Sequence, residues 1–211
     1  MDIVEAFRWI VENHDAFFTA FNRHLLMCLL SLGIAILIAI PLGFLVARSP
    51  RAAFVTTNIA GAARSIPSLA ILAAAMTIMG IGLWPSVIAL IVLAIPPLLL
   101  NTIIGIREVD PASLDAAKGM GLGRFETLWQ VELPLAVPSI LAGVRTAAIQ
   151  VIGGAALASF IGGGGLGDFI NMGIAIMDMP RLLVGAVPIA LLAIATELGF
   201  GWLERHAAYR R

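Results

Sequence analysis

What most limits the fold of this chain is a series of apolar stretches, five of them each about 20 residues long, the length a helix needs to cross a hydrocarbon core. They cover residues 25–47, 58–79, 84–106, 135–160 and 182–203. Of 211 residues 60% are hydrophobic and only 12% charged, with a mean hydropathy of +1.01, so a water-soluble domain would have too little polar surface to enclose them. Backbone N–H and C=O groups in lipid must be satisfied internally, which makes each stretch a helix and the fold class all-α integral membrane. Gly61, Arg64 and Pro67 interrupt the second stretch, and Pro138 and Arg145 interrupt the fourth, so departures from straight spans are expected there.

Ahead of the first span, Phe7, Ile10, Val11, His14, Phe17, Phe18 and Phe21 recur at helical spacing among Asp2, Glu5, Glu12 and Asp15. This pattern predicts an amphipathic surface helix over residues 1–22. No linker or low-complexity tract divides the chain, so residues 1–211 are read as a single transmembrane domain, and substrate capture or fuel hydrolysis is expected on other polypeptides. Basic residues follow the first span (Arg48, Arg51), the third (Arg107, Lys118, Arg124) and the fifth (Arg205, Arg210, Arg211), which puts all three clusters on one side. That side is expected to be the cytoplasm, with the N-terminus outside and the C-terminus inside.

Several chemistries find no support in the sequence. Thirteen basic residues balance thirteen acidic ones, so no nucleic-acid surface is implied. Cys28 is the one cysteine, and His14, His24 and His206 lie toward the chain's ends without clustering, so neither a disulfide nor a metal site is expected. Ser86, Ser139 and Ser159 have no plausible histidine partner for nucleophilic catalysis. The chain is not expected to be an enzyme, nor to bind a cofactor of its own.

Residues 107–134, between the third and fourth spans, are polar and hinged by glycine. Asp110-Pro111 is a helix start, a capping carboxylate followed by a residue suited to the first helical position. Leu114, Ala117 and Met120 are expected on one face of a short helix that Gly121 or Gly123 ends with a positive φ. Phe125, Leu128 and Trp129 fall at helical spacing in a second helix that Pro134 is expected to end. The result is an elbow with an exposed apolar face, either a handle for a soluble partner or a loop resting in lipid headgroups.

The spacing of this segment resembles the EAA motif of ABC-importer permeases: Glu-Ala-Ala, three residues, glycine, nine residues, then Ile-x-Leu-Pro. Asp115, Ala116, Ala117, Gly121, Val131, Leu133 and Pro134 stand at those places, with Asp for Glu and Val for Ile. The resemblance extends over most of the chain. Ser65-Ile66-Pro67-Ser68-Leu69-Ala70, Pro96-Pro97-Leu98-Leu99-Leu100-Asn101-Thr102, the run from Gly105 through Asp110-Pro111, and residues 161–168 are similar to osmoprotectant permeases for glycine betaine, carnitine and choline. Methionine permeases share the elbow and a similar Gly-Gly-Leu-Gly run.

The resemblance implies a methionine-importer-like core of five spans plus the N-terminal surface helix, and an elbow that couples to a cytoplasmic ATPase dimer carrying ATP and Mg²⁺. It also implies a second permease subunit, identical or related, an external substrate-binding protein, and a bacterial or archaeal plasma membrane. The candidates for lining the path or its gate are Ser65, Pro67, Asn101, Gly163, Gly164, Gly165 and Asp168. The four glycines from Gly162 lack a following Gly-Lys-Ser/Thr, which excludes a phosphate loop. They form either a flexible external connection or a tight turn packed where only glycine fits, and the resemblance favours the second as part of an external gate. Arg145, inside an apolar run, is expected to reach an interface or a protein partner such as Glu197.

Overall fold

The structure, a computed structural model, describes residues 2–209. It is all-α: α1 (Asp2–Glu12), α2 (His14–Ala47), α3 (Pro50–Ala63), α4 (Ser68–Met79), α5 (Leu83–Arg107), α6 (Pro111–Gly119), α7 (Arg124–Thr127), α8 (Leu133–Ala158), α9 (Gly167–Ala175) and α10 (Met179–Tyr209). Among the described residues four helical runs are long and apolar enough to span a bilayer: α2, α5, the run Arg124–Ile161 and the run Met179–Ala207. The second expected span is instead two helices, α3 and α4, bent by 91° and counting as a fifth crossing when taken together. Pro67 marks the break: it disfavours the helical conformation in the residue before it, and its own ψ of 132° is non-helical just ahead of α4. Pro138, by contrast, is absorbed within α8, as Pro41, Pro96, Pro97 and Pro188 are within their own helices.

The surface helix expected over residues 1–22 is shorter than that. It ends at Glu12, and His14, Phe17, Phe18 and Phe21 open α2 instead. The two helices meet at Asn13, whose N–H still bonds the Trp9 carbonyl at 2.9 Å and whose carbonyl accepts the Phe17 N–H at 3.1 Å, while its side chain also donates to the Trp9 carbonyl at 3.0 Å. On α1, Ile3, Val4, Phe7 and Val11 form one exposed apolar stripe. Trp9, on the other side, meets Phe169 edge-on at 5.1 Å and lies under the Arg181 guanidinium at 5.6 Å.

The chain resolves into two compact units, each built from three stretches. The first comprises Met1–Ala35, Ile66–Ala94 and Ala148–Glu197, and the second Ile36–Ser65, Ile95–Ala147 and Leu198–Arg211, so the long helices contribute to both. In the first unit, Leu72, Ala89, Ala158 and Ile161 form a buried cluster. Gly154 lets α8 approach α5 so closely that a Cβ there would fall 2.8 Å from a Leu90 methyl. In the second unit Ala47, Ala53 and Ile103 pack together. Gly143 and Gly105 do for this half of the α5–α8 contact what Gly154 does for the other, lying against Asn101 and Ser139. Where lipid tails are as apolar as leucine, such small-residue contacts are what hold helices together.

Arg145 pairs with Glu204 at 3.3 Å, both side chains 30% exposed, a partner that sequence spacing did not suggest. Of the C-terminal basic cluster, Arg210 and Arg211 lie outside the described residues.

Candidate coupling elbow

The elbow lies wholly in the second unit. It starts where Asp110 caps α6, its carboxylate accepting from the Ala112 N–H at 3.0 Å with Pro111 as the first helical residue. A cap of this kind contributes about 1 kcal/mol. The helix closes on Gly121, at φ +81°, with the Gly121 N–H bonded to the Lys118 carbonyl and the Leu122 N–H to the Ala117 carbonyl. This is the Schellman arrangement, which uses carbonyls that would otherwise have no donor. Of the two glycines offered by the sequence, Gly121 takes the positive φ; Gly123 sits at −69° and opens α7, where Glu126 reaches back to its N–H at 2.8 Å.

One expected feature is corrected. Leu114, Ala117 and Met120 do not share a face: Ala117 is fully buried, Leu114 half-buried, and Met120 is 73% exposed. Met120 is the residue at which α6 ends, so its side chain leaves the helix's inner face. Phe125 and Trp129, whose rings meet edge-on at 6.0 Å, are exposed as Met120 is, while Leu128 turns partly inward. Asp115 and Ala116 are exposed, and Asp115 pairs with Lys118 at 3.0 Å.

The second correction concerns Pro134, which does not end the second helix. α7 passes through one wide turn, Leu128–Glu132, and runs straight into α8, with Pro134 at its second residue. Val131 and Leu133 are half-buried in and after that turn, and Glu132 pairs with Arg48 at 3.7 Å.

The path candidates divide between the units. Ser65 and Pro67 flank the α3–α4 bend and are exposed. Asn101 donates to the Pro97 carbonyl at 2.8 Å within α5. In the first unit the glycine run is a packed, non-helical turn. A Cβ on Gly163 would fall 2.6 Å from Ser86 Oγ, and one on Gly165 3.1 Å from His24. Arg23, which no sequence motif marks, donates from Nε to the Gly163 carbonyl at 3.0 Å, across 140 residues of sequence. It faces Asp168, whose carboxyl is held above its ordinary pKa by desolvation, with the Arg23 charge opposing the shift. Asp15, Arg23, Gly164, Asp168 and Phe169 line a cavity of about 570 Å³.

Residues 39–209 match the family model of the binding-protein-dependent transport system inner membrane component. The chain belongs to this family. Similar family members include the carnitine transport permease protein OpuCB of Listeria monocytogenes, 40% identical over 182 residues, which span 86% of this chain and 84% of the relative. The choline transport system permease protein OpuBB of Bacillus subtilis is 41% identical over 183 residues, 87% of this chain and 84% of the relative. In fold the chain is similar to a subunit of the MetNI methionine ABC transporter in inward-facing conformations, with a TM-score of 0.77 at 21% identity over 91% of this chain and 96% of that one. It is also similar to an amino acid ABC transporter with histidines, with a TM-score of 0.72 at 21% identity over 97% and 98% of the two chains. The methionine-importer-like fold expected from the sequence is therefore the fold observed, and the protein is integral to a membrane.

Proposed function

We propose that this chain is the permease subunit of an ATP-driven importer for osmoprotectants such as glycine betaine, carnitine or choline. It forms the translocation path and takes its driving force from a separate ATPase through the elbow. The observation that carries the coupling role is the exposed Phe125–Trp129 pair, 72% and 54% exposed, with Met120 73% exposed on the same capped elbow. Large exposed aromatic residues grouped on a polar segment fit a protein partner's groove. The cargo class rests on the relatives that are about 40% identical over most of the chain. The fold likeness to amino acid importers, at 21% identity, carries no cargo assignment.

On this reading the elbows of two permease subunits, identical or related, seat in two cytoplasmic ATPase subunits that hold ATP and Mg²⁺, and an external binding protein delivers cargo. The N-terminus lies outside and the C-terminus in the cytoplasm of a bacterial or archaeal plasma membrane. Closure of the ATPase pair draws the elbows together and exchanges inward-open for outward-open arrangements, each stabilised by its own contacts. The chain itself hydrolyses nothing.

Co-purification with the ATPase tests this. The wild-type permease retains the ATPase, and the double variant Phe125→Ser, Trp129→Ser binds it roughly tenfold or more weakly, the loss typical of removing two central aromatic contacts. A wild type that retains no ATPase would leave a membrane scaffold without transport. For cargo, betaine, choline and carnitine are titrated onto the co-purifying external protein. Failure of all three, with methionine binding instead, would move the assignment to another small solute.

A further inference from the structure

The turn that joins the elbow to α8 is not α-helical. The Leu133 N–H bonds to the Leu128 carbonyl five residues back, so residues Leu128–Glu132 form a single π-helical turn, one residue wider than the helices on either side. Pro134 supplies the cause. It has no N–H to give the Gln130 carbonyl, and its ring crowds that same carbonyl in α geometry, so the chain relieves both faults by widening. Pro138 leaves the Pro134 carbonyl without its own α-register donor one turn later, placing two successive gaps at this end of α8. On the far side of the wide turn the elbow is stiff. It has the Asp110 cap, the Schellman close on Gly121, the Glu126 bond to the Gly123 N–H, and the buried Thr127 hydroxyl donating to the Gly123 carbonyl at 3.0 Å.

A rigid elbow therefore meets a long helix through a joint with weakened backbone bonding. One charged contact ties that joint to another span: Glu132, its side chain only 16% exposed, pairs with Arg48 just past the end of α2. We propose that the Leu128–Glu132 turn is the hinge about which the elbow moves, that Pro134 is the residue that builds it, and that the Arg48–Glu132 pair is a positioning contact that passes elbow movement to α2. The proposal rests on the transport reading above. Restoring α geometry at the turn changes the elbow's rotational phase about the α8 axis by about 100°, the angle per residue of an α-helix. A stiffened or rotated elbow still carries its apolar patch, and it delivers the ATPase's motion to the wrong place.

Two measurements decide the proposal. Spin labels at Phe125→Cys and Leu141→Cys, in a Cys28→Ala background and in the permease alone, report the elbow-to-α8 distance distribution. Adding Pro134→Ala is expected to shift and narrow that distribution; an unchanged distribution would overturn the hinge. In proteoliposomes with the ATPase and binding protein, Arg48→Glu and Glu132→Arg are each expected to lower cargo taken up per ATP hydrolysed by roughly tenfold. The exchanged pair is expected to recover most of it, as for two residues coupled through one contact. No fall in the single variants, or no recovery in the exchange, would overturn the positioning role. A wild type that never engages an ATPase would defeat the transport reading while the distance measurement still judges the hinge.

Discussion

Two glycine-bearing turns in this protein look alike in sequence and differ in what glycine does. At Gly121, in the elbow, the backbone needs φ +81° and no atom stands within 4 Å of where a Cβ would be. At Gly163, Gly165 and Gly167 the space itself is taken: a Cβ on Gly167 would fall 2.2 Å from the Ala156 carbonyl oxygen and 2.8 Å from Ser159 Oγ. One turn needs glycine for conformation alone and is left open to a partner; the other holds positive φ at Gly162, Gly164 and Gly165 too, and adds close packing at Gly163 and Gly167. A glycine kept for its φ tolerates a side chain at a modest local cost, whereas one kept for space passes any added atom into backbone that cannot retreat.

The largest expected effect follows from that contrast. Gly167→Ala forces backbone apart within the first unit, a clash at the upper end of the 1–3 kcal/mol that overpacking costs, roughly 3 kcal/mol or more. The detergent-solubilised protein should show a clearly lower Tm and a poor yield of monodisperse material. A Tm within error of wild type would mean the glycine turn is slack, and the contrast with the elbow would fail.

Gly121→Ala comes next. It places a Cβ in the left-handed region, which costs about 1–2 kcal/mol, and the cost is confined to an exposed elbow. Tm should therefore fall little, while the α6–α7 turn is misdirected and ATPase retention drops. If Tm falls as far as in Gly167→Ala, the elbow is part of the cooperative core and not a local appendage. Gly119→Ala is smaller and opposite in sign. Gly119 ends α6 with no positive φ and open space around it, so alanine should raise helix stability by roughly 0.5–1 kcal/mol, read as slower amide exchange in α6.

These differences also mark what could be read from the residues alone. The elbow's position, its cap at Asp110, its turn and its exposed Phe125 and Trp129 were legible because each depends on local chemistry at short spacing. The destination of Met120 was not, because a helical wheel assumes the helix continues through residue 120, and it stops there. Pro134 read as a stop signal, since a missing N–H commonly ends a helix; here a wider turn accommodates it and the helix goes on. The break between α3 and α4 was signalled by Pro67, but its 91° angle was not, because bend angles are set by packing. Arg23 was invisible as a strap on the glycine turn for a simpler reason: its carbonyl partner lies 140 residues away, and no periodicity records such a contact.

The smallest predicted effect contrasts one charged pair from each turn. Asp115 and Lys118 are 75% and 70% exposed, so breaking that pair with Asp115→Asn should change Tm by no more than the ~0–1 kcal/mol of a surface ion pair. Asp168 differs because desolvation raises its pKa above the 3.8 of an unperturbed carboxyl despite the opposing Arg23 charge. A carboxyl with a raised folded-state pKa favours the fold most when protonated, so its contribution is greatest below the unfolded pKa. It declines as pH rises from that value through the folded one. Asp168→Asn should remove this decline and flatten Tm against pH across the window just above the ordinary carboxylate range, while Asp115→Asn leaves the slope there as in wild type. If instead the Asp168→Asn protein loses stability most at the high-pH end, the Arg23 attraction outweighs the desolvation, and the packed turn is held together by charge as much as by the close fit of its glycines.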